Sequence, residues 1–224
     1  VSQGAGGGRR LLVWGGGGHG KVVADAARAA GWRVAGFVDR DPALVGRVVE
    51  PGGARVVLDE AALRALLAAG RLCEQAEAVA VAVGDNRTRL SLLAEVGDAA
   101  APAIVHPAAI LSPHVSLGAG SVVFARVAVN PDARAGAGVI LNTGCVVEHD
   151  CELGDGVHVS PGAVLAGAVR VDARAWVGAG ATVIQEIHIG ADAIVGAGAV
   201  VVRDVPAGAV VVGNPARPLQ RSGR

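Results

Sequence analysis

Along residues 105–201 every sixth side chain is apolar. The series is Val105, Leu111, Leu117, Val123, Val129, Ala135, Leu141, Val147, Leu153, Val159, Leu165, Val171, Val177, Val183, Ile189, Val195 and Val201, with Ala135 alone lacking a large side chain. Two residues before each position lies a small or β-branched side chain, such as Ala109, Ser121, Cys145, Cys151, Ala163, Ala175 and Ala193. A helix would need apolar spacings of three and four, and a half-buried flat strand would need strict alternation. A period of six with two inward positions instead describes a short strand plus a corner, repeated as a solenoid. Three such sides close a triangular prism, a parallel β-helix of about 18 residues per coil. Glycine often follows the aliphatic position (Gly118, Gly136, Gly154, Gly178, Gly190, Gly196), where a tight corner is expected to favour a residue without a Cβ.

The first hundred residues follow another rule. Leu11–Trp14 reads as a short strand running into Gly15–Gly20, followed by a helix over Lys21–Ala30 with Val22, Val23, Ala26 and Ala30 on one face. Gly31 stops that helix, and Val34–Val38 reads as the next strand, ending at Asp39. A helix over Asp59–Ala69, capped by Asp59, a buried strand over Ala78–Val83 and a helix over Arg87–Val96 complete the half. Strand and helix alternate, which predicts a small α/β domain with a short parallel, Rossmann-like sheet. The expected division is a tail over 1–10, the α/β domain over 11–102, the β-helix over 103–217 and a tail over 218–224, with Pro102 and Pro107 marking the approach to the solenoid.

Twenty basic and twenty acidic residues cancel, so the chain carries no electrostatic footprint for nucleic acid or an anionic membrane. No apolar run reaches transmembrane length, and the opening residues hold no signal-peptide core, so a cytoplasmic protein is expected. Cys145 and Cys151 fill consecutive inward positions of the repeat, which makes them core thiols rather than a disulfide or metal pair. His106, His114 and His188 show no metal-ligand spacing, and no metal is expected.

The glycine loop offers two motifs. Gly15-x-Gly17-x-x-Gly20, with Asp39 about 20 residues on, satisfies the dinucleotide fingerprint. Gly15-x4-Gly20-Lys21 also nearly matches a Walker phosphate loop, but Val22 stands where Ser or Thr would bind Mg²⁺. Both describe backbone N–H groups at a helix N-terminus, ready for a phosphate. A purely structural glycine turn is the alternative, and the motif does not choose between nucleotide ligands.

The hexad pattern resembles the hexapeptide-repeat acyltransferases, which fold as left-handed β-helices and assemble as trimers. Residues 11–217 as a whole resemble one subgroup: bacterial nucleotide-sugar acetyltransferases that modify bacillosamine and perosamine precursors, with sialic-acid O-acetyltransferase-like relatives. The resemblance rests on Gly15–Gly20 with His19, on Phe37-Val38-Asp39, and on Val83-Gly84-Asp85-Asn86-Arg87-Thr88-Arg89. It continues through Asn142-Thr143, Glu148-His149-Asp150-Cys151, His158-Val159-Ser160 and Gly213-Asn214-Pro215-Ala216-Arg217.

The resemblance implies that the N-terminal domain holds a nucleotide-linked sugar. Gly17, Gly18 and His19 match diphosphate-contacting positions, Asp39 and Arg40 lie where the base or ribose would sit, and Gly84 falls among the substrate contacts. Relatives often carry a second acid at the position of Arg40, which leaves UDP, GDP and CMP open. His149 matches the general base and Asp150 its acidic support. His158 matches an acetyl-CoA contact, Ala179 and Ala197 match backbone positions along the CoA arm, and Asn142 matches a residue holding the acceptor sugar. Gly167 matches a position whose N–H stabilises the tetrahedral oxyanion.

The residues themselves fit that chemistry. His149 lies two positions after the inward Val147, at a corner, so its ring points outward, and Asp150 can accept a ring N–H and raise its basicity. A solvated surface His–Asp pair is the plain alternative. His158, just before the inward Val159, projects from a different side, so a neighbouring subunit of a homotrimer would be needed to bring the two histidines together. The expectation is an acetyl-CoA-dependent N-acetyltransferase acting on a nucleotide-linked amino sugar. O-acetylation of a sugar or sialic acid is the alternative, followed by an NAD-dependent oxidoreductase and a noncatalytic scaffold.

Overall fold

The computed structural model describes residues 8–219, which part at Pro107/Ala108 into two compact units. The tails expected at the two ends lie, for 1–7 and 220–224, outside the described residues. Both expected tails reach too far inward: Arg10 already belongs to the first strand, and Pro218 to the last.

The N-terminal unit is a parallel sheet flanked by helices. Strands β1 (Arg10–Trp14), β2 (Arg33–Asp39), β3 (Val56–Asp59) and β4 (Ala78–Val81) order as β3-β2-β1-β4. β3 was not expected. It follows Pro51-Gly52-Gly53 and runs straight into helix α2 (Glu60–Ala68), so four residues carry no readable alternation. Asp59 ends that strand and caps α2, accepting the Ala62 N–H at 2.8 Å. Helix α1 (Gly18–Ala29) starts three residues earlier than expected and buries Gly20, Val23, Ala24, Ala26 and Ala27. Val22, assigned to the inner face, is 44% exposed, because the buried stripe follows Val23 and its neighbours. Helix α3 (Asn86–Val96) is capped by Asp85, whose carboxylate accepts the Thr88 N–H at 2.8 Å.

The second unit is a left-handed parallel β-helix of two-residue strands. Ile110 pairs with Ala128, Ile140 with His158 and Arg170 with His188, so each strand stacks on the one eighteen residues on. The first face includes Val122–Val123, Ile140–Leu141, His158–Val159, Trp176–Val177, Ile194–Val195 and Val210–Val212. The second runs from Ile110–Leu111 to Val200–Val201, and the third from Ser116–Leu117 to His188–Ile189. The last coil is shorter: Ile194 pairs with Val210, sixteen residues on.

Burial follows the two inward columns, from Val123 and Cys145 to Ala199 and Val201. Cys145 and Cys151 are free, buried thiols, and burial pushes them up to about 12 and about 11 respectively, so they stay protonated in the core. The glycines after the aliphatic position are not the corner residues. The left-handed corner residue lies three positions after the aliphatic one, as Gly120, Gly138, Gly144 or Gly156, and also as Asp132, Asp150 or Ala168 with φ of 63°, 60° and 56°. Gly118 and its equivalents are small because successive coils touch there: a Cβ on Gly118 would lie 2.4 Å from the carbonyl carbon of Gly136.

The outward columns differ in chemistry. On the second face they read Ile110, Ala128, Val146, Val164, Thr182 and Val200, and on the third Ser116, Arg134, Glu152, Arg170 and His188.

Candidate active site

His149 occupies the corner between Val146–Val147 of the second face and Glu152–Leu153 of the third. Its side chain is 61% exposed, and Nδ1 meets Asp150 Oδ2 at 2.7 Å. Asp150 reaches that position from the left-handed corner conformation, which Asp tolerates better than most residues. The hydrogen bond to Asp150 is the main cause holding His149 above the ordinary imidazole range, and the charges of Asp150 and Glu148 add to it. With Nδ1–H given to Asp150, Nε2 is the basic nitrogen. One coil on, a Cβ at Gly167 would come within 2.7 Å of the His149 ring, so glycine leaves the ring its place. The Gly167 N–H donates to none of the described residues. Beside the corner, Asn130 Nδ2 donates to the half-buried Glu148 carboxylate at 2.6 Å.

His158 lies on the first face, away from that corner, as its place in the repeat predicts. It lines a groove of about 470 Å³ with Ser160, Pro161, Trp176, Ala179, Ile194 and Ala197. All three residues expected along the CoA arm, His158, Ala179 and Ala197, therefore share one groove. Asn142, expected to hold the acceptor sugar, has its amide nitrogen 3.2 Å from His158 Nε2. Sequence reasoning missed Trp176, whose ring stacks on His158 with centroids 5.6 Å apart. The spacing of one coil from His158 would have found it.

In the N-terminal unit the glycines divide by role. Gly15 has φ 127°, and a Cβ on it would lie 2.5 Å from the Ala82 carbonyl oxygen; one on Gly20 would lie 1.9 Å from the Gly15 oxygen. Gly17 and Gly18, at the start of α1, have open space around the Cβ position, which suits a ligand's approach to the backbone. The Nε2 of His19 is buried, and burial, with a smaller effect of Arg89, pushes the ring down to about 4.

Asp39 Oδ2 accepts the Gly16 N–H at 3.2 Å and Oδ1 accepts that of Asp41 at 3.1 Å. It lines a small cavity of about 140 Å³ with Gly16, Lys21, Arg47 and Val56. Arg40 is exposed and does not line it. Lys21 was legible in the Walker-like spacing, whereas nothing in the sequence marked Arg47. The carbonyls of Val83 and Gly84 accept from the buried Arg89 guanidinium at 3.0 and 3.1 Å, which fixes the loop that carries Gly84. No group of three His, Cys, Asp or Glu side chains able to hold a metal ion occurs among the described residues.

The profile of the PglD N-terminal domain matches residues 10–96. A perosamine N-acetyltransferase from Caulobacter crescentus, solved with CoA and GDP-perosamine as a variant with one histidine replaced by asparagine, is 44% identical. The match covers 94% of this chain and 97% of that one, with a TM-score of 0.85. The chain belongs to the nucleotide-sugar acetyltransferase family. The acetyltransferase domain of PglB from Neisseria gonorrhoeae FA1090, solved with acetyl coenzyme A, is 39% identical to this acetyltransferase over 95% of its chain and 100% of the other (TM-score 0.83). WeeI from Acinetobacter baumannii AYE is 30% identical over 93% and 99% (TM-score 0.77). No curated protein sequence matches it. The acetyltransferase thus sets the His149–Asp150 pair and the Gly167 N–H on one corner of the prism, and an apolar groove on another face.

Proposed function

We propose that this acetyltransferase moves the acetyl group of acetyl-CoA to the amino group of a nucleotide-linked amino sugar, with His149 as general base. The observation that carries this reading is His149, joined to Asp150 at 2.7 Å and packed against Gly167. The sugar amine attacks the thioester carbonyl carbon as His149 Nε2 takes its proton, and Asp150 supports the resulting imidazolium. The Gly167 N–H receives the developing oxyanion. Collapse of the tetrahedral intermediate breaks the C–S bond and releases CoA thiolate, which regains a proton from the imidazolium. The groove holding His158, Ala179 and Ala197 takes the CoA arm, and Gly17, Gly18 and the His19 backbone take the diphosphate. Asp39 and the loop at Gly84 take the remainder of the nucleotide.

A homotrimer joins the two parts of this site. His149 and the groove lie on different sides of one prism, so the corner of one copy serves the groove of the next. The apolar outward column of the second face, Ile110 to Val200, supplies a surface for such packing. A cytoplasmic location fits free thiols at Cys73, Cys145 and Cys151, and no helix among the described residues is long and apolar enough to cross a membrane.

The test is product analysis. GDP- and UDP-linked amino sugars incubated with acetyl-CoA and the protein should gain one acetyl group that survives hydroxylamine, as an amide does. A hydroxylamine-labile product would mean O-acetylation, and no acetylated product would end the reading.

A further inference from the structure

The Asn142 amide has a defined orientation. The Thr143 N–H donates to Asn142 Oδ1 at 2.8 Å, a role that only the amide oxygen can accept. The NH2 group is therefore the part that lies 3.2 Å from His158 Nε2. An amide nitrogen offers protons and no usable lone pair, so Nε2 must accept and cannot carry a proton. A neutral imidazole with a bare Nε2 holds its proton on Nδ1. The ring plane is fixed as well. Trp176 stacks on it at an interplanar angle of 4°, and the indole is itself anchored by donating Nε1–H to Ser160 Oγ at 2.7 Å.

We infer that Asn142 is a positioning residue that holds His158 as its Nδ1–H tautomer, with Trp176 setting the ring plane, so that His158 lines the acyl-donor groove as a neutral ring of one fixed tautomer. It cannot act as a base in this arrangement, because one ring nitrogen is protonated and the lone pair of the other is engaged by Asn142. The inference rests on the groove taking the acyl donor, and it moves Asn142 from the acceptor sugar to the support of His158. Ser160 and His158 are buried while Trp176 is 46% exposed, so the indole is the open side of the stack in the groove.

The test is Asn142→Asp. A carboxylate can only accept, so the variant requires the proton on Nε2 and inverts the tautomer. In ¹⁵N NMR of histidine-labelled protein, wild type should show His158 protonated at Nδ1, and Asn142→Asp should show it protonated at Nε2. The KM for acetyl-CoA should rise roughly tenfold, the scale of one misplaced hydrogen bond, while the KM for the nucleotide sugar stays put. Trp176→Ala, which removes the stacked ring, should raise the acetyl-CoA KM without changing the tautomer. Protonation of Nε2 in wild type would overturn the inference. So would an Asn142→Asp variant that raises only the KM for the sugar. A protein that transfers no acetyl group to any acceptor would defeat the functional reading, yet the NMR signature would still decide the tautomer.

Discussion

The imidazole of His149 stands against Gly167, its neighbour one coil on, so closely that a Cβ there would sit 2.7 Å from Nε2. The contact is with a side-chain end rather than with backbone, so the fold can absorb a methyl group by turning the ring. Gly167→Ala should therefore change stability by less than about 1 kcal/mol. It should still lower kcat by roughly 10²-fold, because the base leaves its attack geometry. Thermal unfolding and steady-state kinetics on the same preparation check both parts. A variant with normal kcat would show that the ring position is not critical.

The Asp150 hydrogen bond raises the pKa of His149, and the proposed general base must be the neutral ring. Activity should thus be lost as pH falls through a value above the ordinary imidazole range. Asp150→Asn removes the largest cause, so the acid limb of kcat/KM should move to lower pH while the plateau falls. A limb that stays in place would assign the titration to another group.

His19 is held neutral by burial, at about 4 against an ordinary 6.5. Between those values the unfolded chain binds the extra proton and the folded chain does not, so stability falls as pH drops through that window, by up to about 3 kcal/mol. His19→Gln should flatten the dependence of Tm on pH between 6.5 and 4. Parallel curves for the two proteins would contradict it.

The glycines of the loop should separate in their effects. Gly20→Ala drives a Cβ into the Gly15 carbonyl and should destabilise by about 3 kcal/mol. Gly18→Ala meets open space at a helix start and should leave stability within about 1 kcal/mol. Calorimetry should nonetheless show nucleoside diphosphate binding at least roughly tenfold weaker for Gly18→Ala, since the methyl group intrudes on the phosphate's approach. Unchanged binding would place the diphosphate elsewhere.

The solenoid was legible because its register is a single period, and each aliphatic such as Val147 or Val159 falls where that period puts it. The corner carrying His149 followed from the same count. Strand β3 was hidden because Val56–Asp59 is four residues long and hands over directly to a helix. Val22 was misplaced because α1 begins within the glycines, where no side chain marks the phase. The His158–Trp176 stack was readable as one coil's spacing, whereas the Asn142–His158 bond depends on side-chain directions that no periodicity encodes. Arg47 comes to the small cavity through tertiary placement alone.

The central claim is that His149, and not His158, removes the proton during acetyl transfer. The direct measurement is the initial rate of thiol release from acetyl-CoA with a GDP- or UDP-linked amino sugar, for wild type, His149→Ala and His158→Ala. His149→Ala should keep its fold and lose roughly 10²–10⁴ in kcat, the scale of a general base, whereas His158→Ala should chiefly raise the KM for acetyl-CoA. Near-normal turnover in His149→Ala, beside a dead His158→Ala, would contradict the account.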